Sequence, residues 1–528
     1  MRKRIITLTA ALFTMGMMNF FYGQDKEILN WYNGSTPGMN TDKAYKSLKK
    51  KQTKTVIVAV IDSGIDIEHE DLQGKIWTNE DEIAGNGIDD DHNGYIDDIH
   101  GWNFLGSPAG NQDHARLEMT RIYANLSPRF EGKTSDQIDA SERKDYDLYL
   151  EVKGKIEAER AQYEAILPQY EQLQVVLPVI RQRLVEKFKK ENFTLKDLEA
   201  WKTSGPEEEQ LKEIGIAMVN GDLDEESIKE GVAQLSSMLN YHLNPDYNDR
   251  EFIGDNPDDF NDIHYGNNDV EGPDALHGTH VGGIIGAVRG NGLGADGVAA
   301  DIKLMSVRAV PDGDESDKDV AQAIRYAVDN GASVINMSFG KAYSVHQQEV
   351  YEALKYADSK GVLLVHAAGN ENENVDVNDN FPTNSYTFQP VKLNNYLTIG
   401  ASTRFPKGKL AADFSNYGQT KVDVFAPGFE IYNSVPQSSY KKLAGTSMAA
   451  PMVAGAAAML KSYYPELSMV EIKDAMLKSA KSYKGTEQQL PGAETKVDFG
   501  TLSITGGVID IAAAAKACDA MVKAKAKK

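Results

Sequence analysis

The sequence predicts an α/β fold: a doubly wound, mostly parallel sheet flanked by helices, with an inserted helical subdomain. Three observations carry that expectation. The β-branched run Thr53 to Ile61 has the composition of a strand buried on both faces. From Ile302 onward, strand-length apolar runs alternate with helix-length amphipathic stretches, which calls for crossover connections. Between about Gln112 and Asn244 that alternation gives way to a charged segment with helical periodicity.

Taken in order, the chain opens on Met1-Arg2-Lys3-Arg4, an apolar stretch from Ile5 to Phe21, and Gly23. A basic start, an apolar segment of that length and a small residue read as a cleaved secretory signal over residues 1–23, with an uncleaved anchor as the alternative. No other stretch approaches a spanning helix, so the mature chain is expected outside the cytoplasm, secreted or periplasmic. Residues 24–52 form a polar lead-in. The α/β region is expected in two parts, residues 53–111 and 245–528, around an insertion at 112–244.

Strands are expected at Ile302 to Val307, Ala332 to Met337, Val362 to His366, Tyr396 to Gly400 and near Val422 to Phe425. Helices fit Asp317 to Asn330, Gln347 to Lys360, Thr446 to Tyr464 and Val508 to Lys523. Ser468 with Glu471 three residues on is a capping box that opens another helix. Within the insertion, Tyr149, Val152, Ile156, Tyr163 and their successors to Phe188 make an amphipathic stripe, read as internal packing and as kinked or broken at Pro168 and Pro178.

Composition excludes several classes. With 56 Lys+Arg against 78 Asp+Glu the formal charge is −22, and no basic face for nucleic acid is expected. The single cysteine, Cys518, excludes an intramolecular disulfide. Gly290-Asn291-Gly292-Leu293-Gly294 follows a helix rather than a strand, so it is not a dinucleotide loop, and no organic cofactor is expected.

Three short segments carry chemistry: Asp62-Ser63-Gly64, His277-Gly278-Thr279-His280-Val281, and Gly445-Thr446-Ser447-Met448-Ala449-Ala450-Pro451. A hydroxyl nucleophile needs an imidazole to take its proton, and the imidazole needs a carboxylate to fix its tautomer. Singly, each segment also reads as a turn, half of a metal site or a helix cap. Together, in the order Asp, His, Ser, they resemble the active-site motifs of the subtilisin-like serine proteases, nearly letter for letter.

That resemblance covers about Thr53 to Asp81 and Gly272 to Leu477, and implies a subtilisin-like fold and an endopeptidase working through an acyl-enzyme. It implies Ser447 as nucleophile, His277 as general base and then acid, and Asp62 as its orienting carboxylate. Asn370, in Ala367-Ala368-Gly369-Asn370, resembles the family's oxyanion donor. Ser338, Phe339 and Gly340, in Val334 to Gly340, resemble the strand that pairs with an extended polypeptide substrate. Residues 24–54 are too short for the family's inhibitory propeptide, and the insertion is expected to restrict substrate access or to dock a partner. The rival reading is a catalytically silent peptide-binding or adhesion protein on the same fold.

Asp89-Asp90-Asp91-His92-Asn93-Gly94-Tyr95-Ile96-Asp97-Asp98 resembles an EF-hand-type loop, with Asp89, Asp91, Asn93 and Asp97 as oxygen ligands and Tyr95 offering its carbonyl. Structural calcium is the cofactor expected there. A solvated acidic turn is the alternative, and His100 stands where a bidentate Glu would close the loop.

Overall fold

The computed structural model describes residues 29–221 and 223–527; the expected signal segment, residues 1–23, lies outside the described residues. β1 (Val56–Asp62), β2 (Gly101–Asn103), β3 (Ile302–Arg308), β4 (Val334–Met337), β5 (Leu363–Ala367), β6 (Tyr396–Ser402), β7 (Val424–Pro427), β8 (Lys481–Ser482) and β9 (Gly507–Val508) form one nine-stranded sheet. Its order is β8-β9-β7-β6-β5-β4-β1-β3-β2, and every pairing is parallel except β8 with β9.

The β-branched run behaves as a strand buried on both faces should, because successive side chains leave it in opposite directions. Val58 and Val60 enter one core with Ile284 of α1 (Leu276–Gly286) and Val453 of α4 (Thr446–Tyr463). Ala59 and Ile61 enter the other, with Ile324 of α2 (Asp317–Asp329) and Leu354 of α3 (Gln347–Ser359). Helices thus cover both faces, which is the doubly wound arrangement.

The lead-in is more than polar chain. Tyr32, Met39, Ala44 and Leu48 are buried in the core of α1 and α4. The Tyr32 hydroxyl donates to the Asp296 carbonyl at 3.0 Å, and the Ile511 N–H donates to the Met39 carbonyl at 2.8 Å. This strap belongs to the sheet-bearing unit.

Residues 119–248 form a second compact unit, starting later than the sequence pattern places it. The reason is local pairing. The Gln112 N–H donates to the Leu105 carbonyl and the Ala115 N–H to the Asp312 carbonyl, each at 2.8 Å, so this stretch is tied to the sheet-bearing unit. The long helix Arg143–Phe188 runs for 46 residues through Pro168 and Pro178, so of the expected kink or break the break does not occur. Each proline removes only one N–H. Near the first, the Gln169 amide donates to the Ala165 carbonyl at 2.8 Å, and buried Val152, Ile156, Leu177 and Leu184 anchor the helix on both sides. Of the stripe, Tyr149, Val152, Ile156 and Leu184 are buried and Val176 is exposed. Among the described residues no helix is long and apolar enough to cross a membrane.

Candidate active site

The strand order reverses beside β1: the chain passes from β1 to β3 on one side and then to β4 on the other. Crevices at such switch points open at the carboxyl ends of the strands. Asp62 is the last residue of β1, Ser338 directly follows β4, and Asn370 lies three residues beyond β5. His277 and Ser447 sit in the first turns of α1 and α4.

Asp62 Oδ1 lies 2.6 Å from His277 Nδ1 and also accepts the Ser63 N–H at 2.8 Å. The Asp62 side chain is 2% exposed, whereas that of His277 is 36% exposed, so the imidazole is open to a reactant while its carboxylate partner is not. Burial by itself lowers the His277 pKa, but the Asp62 charge and hydrogen bond outweigh it and raise the pKa above the ordinary histidine value.

Two glycines make this approach sterically allowed. Gly64 has φ +121°, and a Cβ there would sit 2.0 Å from the Glu271 carbonyl oxygen. A Cβ on Gly278 would sit 2.0 Å from the Gly64 carbonyl oxygen. The first turn of α1 therefore lies directly on the Asp62 loop. The Asp66 N–H donates to Thr279 Oγ1 at 2.8 Å and fixes the same contact. His280 is buried and pushed down to about 3, and its Nε2 donates to the Ile431 and Lys441 carbonyls at 3.0 and 3.2 Å. Among the described residues His277 and His280 belong to no converging group of metal-ligand atoms.

Ser447 Oγ donates to the Ser338 carbonyl at 3.0 Å, and Ser338 Oγ donates to the Ser447 carbonyl at 2.9 Å. Among the described hydrogen bonds none joins Ser447 to His277. Asn370 Oδ1 accepts both the Thr446 N–H (2.8 Å) and Thr446 Oγ1–H (3.0 Å). Those donors fix the amide orientation and leave Nδ2 as its open edge. The Ser447 N–H, at a helix N-terminus, has no acceptor among the described hydrogen bonds. Thr446, which sets the Asn370 rotamer, went unassigned in the sequence; only its place beside Ser447 pointed to it. His366 is a satisfied core histidine, pushed down to about 4 by burial and donating through Nε2 to the Phe339 carbonyl at 2.8 Å.

The acidic loop is arranged differently from its template. Asp97 turns away, its carboxylate accepting the N–H groups of Gly85, Asn86 and Gly87 at 2.8, 3.2 and 2.9 Å. Asp89 accepts the Asn93 and Gly94 N–H groups at 3.1 and 2.9 Å, and Asn93 Oδ1 accepts the Tyr95 N–H at 2.8 Å, so both brace the turn. The carboxylates that converge are Glu82, Asp91 and Asp98, each with an oxygen within 4.8 Å of the others. Burial raises Asp98 to about 6 despite hydrogen bonds from Tyr326, Asn79 and Asn93. An all-oxygen, mutually repelling set of this kind fits a hard dication. Glu82 lies outside any twelve-residue loop template, which is why the spacing did not reveal it.

A family model described as the subtilase family matches residues 53–500, and the chain belongs to that family. It is 39% identical over 211 residues to a thermophilic serine proteinase of Bacillus sp. (strain AK1), covering 40% of this chain and 48% of that protein. It is 36% identical over 211 residues to subtilisin BL of Lederbergia lenta, covering 40% and 72%. It is 35% identical over 262 residues to a cell wall-associated protease of Bacillus subtilis (strain 168), covering 46% and 27%. The chain thus spans about half or less of the first and third of these relatives.

The Gly64–Gly278 contact generates a direct expectation. Gly278→Ala should push α1 off the Asp62 loop and lower the kcat/KM for a peptide substrate by about 10²-fold, since a misplacement of about 1 Å costs that much. Circular dichroism should show the secondary structure retained, and activity equal to wild type would mean that the approach is not needed.

Proposed function

We propose that this chain is an exported serine endopeptidase that cleaves polypeptides through Asp62, His277 and Ser447. The observation that carries the reading is the 2.6 Å Asp62–His277 contact, made across 215 sequence positions. Membership in the subtilase family and the resemblance to proteases support the activity. The cell wall-associated relative supports an extracytoplasmic site of action.

In this mechanism an extended peptide lies along Ser338, Phe339 and Gly340, with its scissile carbonyl over Ser447. Ser447 Oγ leaves the Ser338 carbonyl, gives its proton to His277 Nε2 and bonds to the scissile carbon. The Asp62 carboxylate holds the Nδ1–H and stabilises the resulting imidazolium. Negative charge on the carbonyl oxygen meets two fixed donors, Asn370 Nδ2 and the Ser447 N–H, which cost no reorganisation when the charge appears. His277 then protonates the departing amine. Water, activated by the same imidazole, releases the acyl group and restores Ser447.

Calcium is proposed as a structural ion held by Glu82, Asp91 and Asp98, supplying positive charge that offsets their repulsion and orders the loop. The insertion, residues 119–248, is proposed to restrict access to the cleft or to dock a partner.

Ser447→Ala should abolish casein hydrolysis and labelling by a fluorophosphonate, and Asn370→Ala should reduce turnover by roughly 10²–10³. Full activity in Ser447→Ala would end the protease reading, and a wild type that a fluorophosphonate fails to label would favour a silent binding protein. Chelation should lower the melting temperature, since an ion at a hundredfold excess over Kd adds about 2.7 kcal/mol to the native state. Asp91→Ala should blunt that response, whereas a melting curve indifferent to chelator and calcium would leave an ordinary acidic loop.

A further inference from the structure

A buried ammonium group lies three residues beyond Ser338. Lys341 is 4% exposed, and its Nζ stands 2.8 Å from each of Glu118 Oε2, Asp317 Oδ1 and the Glu315 carbonyl oxygen. A lysine taken out of water is tolerated only where carboxylates and carbonyls replace its hydration in good geometry, so its three acceptors are fixed in place together.

Those acceptors come from two separate segments, each braced elsewhere. Along 113–118, the Asp312 N–H donates to the Asp113 carbonyl and the Ala115 N–H to the Asp312 carbonyl, both at 2.8 Å. The Glu118 N–H adds a bond to Asp314 Oδ2 at 2.7 Å. At the start of α2, Asp317 Oδ2 accepts Ser344 Oγ–H and the Val345 and His346 N–H groups at 3.0, 3.0 and 2.8 Å. Lys341 itself exchanges two backbone hydrogen bonds with Phe381, at 3.1 and 2.9 Å.

The segment Ser338 to Lys341, which follows β4, is therefore held at both ends. Its first residue exchanges hydrogen bonds with Ser447, and its last buries a cation against Glu118, the first residue of the helix Glu118–Phe130 that leads into the insertion. The residues between, Phe339 and Gly340, are those on which an extended peptide would lie.

We propose, resting on the reading of Ser338 to Gly340 as the substrate edge, that Lys341 and Glu118 are positioning residues that hold this edge straight for a multi-residue peptide. Neutralising Glu118 leaves the ammonium with Asp317 and the Glu315 carbonyl, so Lys341 is drawn toward α2 and the edge shifts with it. The defect is length-dependent. A single-residue ester needs only Ser447, His277 and the oxyanion donors, and a tetrapeptide needs the edge as well.

The experiment compares the full-length wild type, Glu118→Gln, Glu118→Asp and Lys341→Met on an acetylated tetrapeptide anilide and on an acetylated amino-acid ethyl ester. For Glu118→Gln, the tetrapeptide KM should rise about tenfold with kcat nearly unchanged, while both ester parameters stay within about twofold of wild type. Glu118→Asp, which keeps the charge, should restore most of the loss, and Lys341→Met should exceed it. Should Lys341→Met fail to fold, the near-isosteric Glu118→Gln carries the test alone. Equal losses on both substrates, or none on either, would overturn the inference while leaving the protease reading intact. Failure of the wild type itself to cleave the ester and to label with a fluorophosphonate would overturn both.

Discussion

A methyl group added at Gly278 would stand 2.0 Å from the Gly64 carbonyl oxygen, and one added at Gly64 would meet the Glu271 carbonyl at the same distance. Those two clearances let the first turn of α1 rest on the loop that follows β1. The sheet brings Asp62 to the carboxyl end of β1, and α1 brings His277 over it, but only the missing Cβ atoms let the two side chains close to 2.6 Å. Thr279, receiving the Asp66 N–H, and His280, donating to the Ile431 and Lys441 carbonyls, secure the turn from both sides.

The same constraint sorts the histidines electrostatically. His280 and His366 are buried against backbone carbonyls, which favour a charged ring too weakly to offset burial, and they are pushed down to about 3 and about 4. His277 is the one set against a buried carboxylate, and its pKa goes up instead. Desolvation acts on all three rings, and the partner decides the outcome. Two rings are thereby committed as neutral braces and one is poised to accept a proton.

Much of this was legible in the sequence because it depends on local pattern. The run Val56–Asp62 alternates into two cores as its β-branched composition requires, and Ser468 with Glu471 forms the capping box its spacing announced. Asp62 meets His277, and Asn370 lies against Thr446 beside Ser447 in sequence. What escaped depends on tertiary context. Pro168 and Pro178 did not end the helix Arg143–Phe188, since one lost N–H at each is outweighed by packing on both sides. Glu82 and Asp98 replace Asp89 and Asp97 in the converging acidic set because the backbone between them turns on Asp97. Tyr32 and Met39 looked like polar lead-in because isolated apolar residues among Gly, Asn and Lys show no periodicity.

The central claim is that Asp62 sets the protonation of His277, and imidazole NMR of histidine-labelled protein tests it most directly. Ser447→Ala, which keeps the pair but turns nothing over, would be titrated beside Ser447→Ala/Asp62→Asn. With Asp62 present, the His277 midpoint should lie above the ordinary value of about 6.5, because the carboxylate favours the charged ring. With Asn in its place burial is opposed only by the more weakly acting Asp274 charge, so the midpoint should fall well below that of the Asp62 protein. The stability contributed by charged His277 is accordingly full below about 6.5 and is lost as pH rises through the higher folded-state midpoint. A His277 midpoint identical in the two variants would contradict the account.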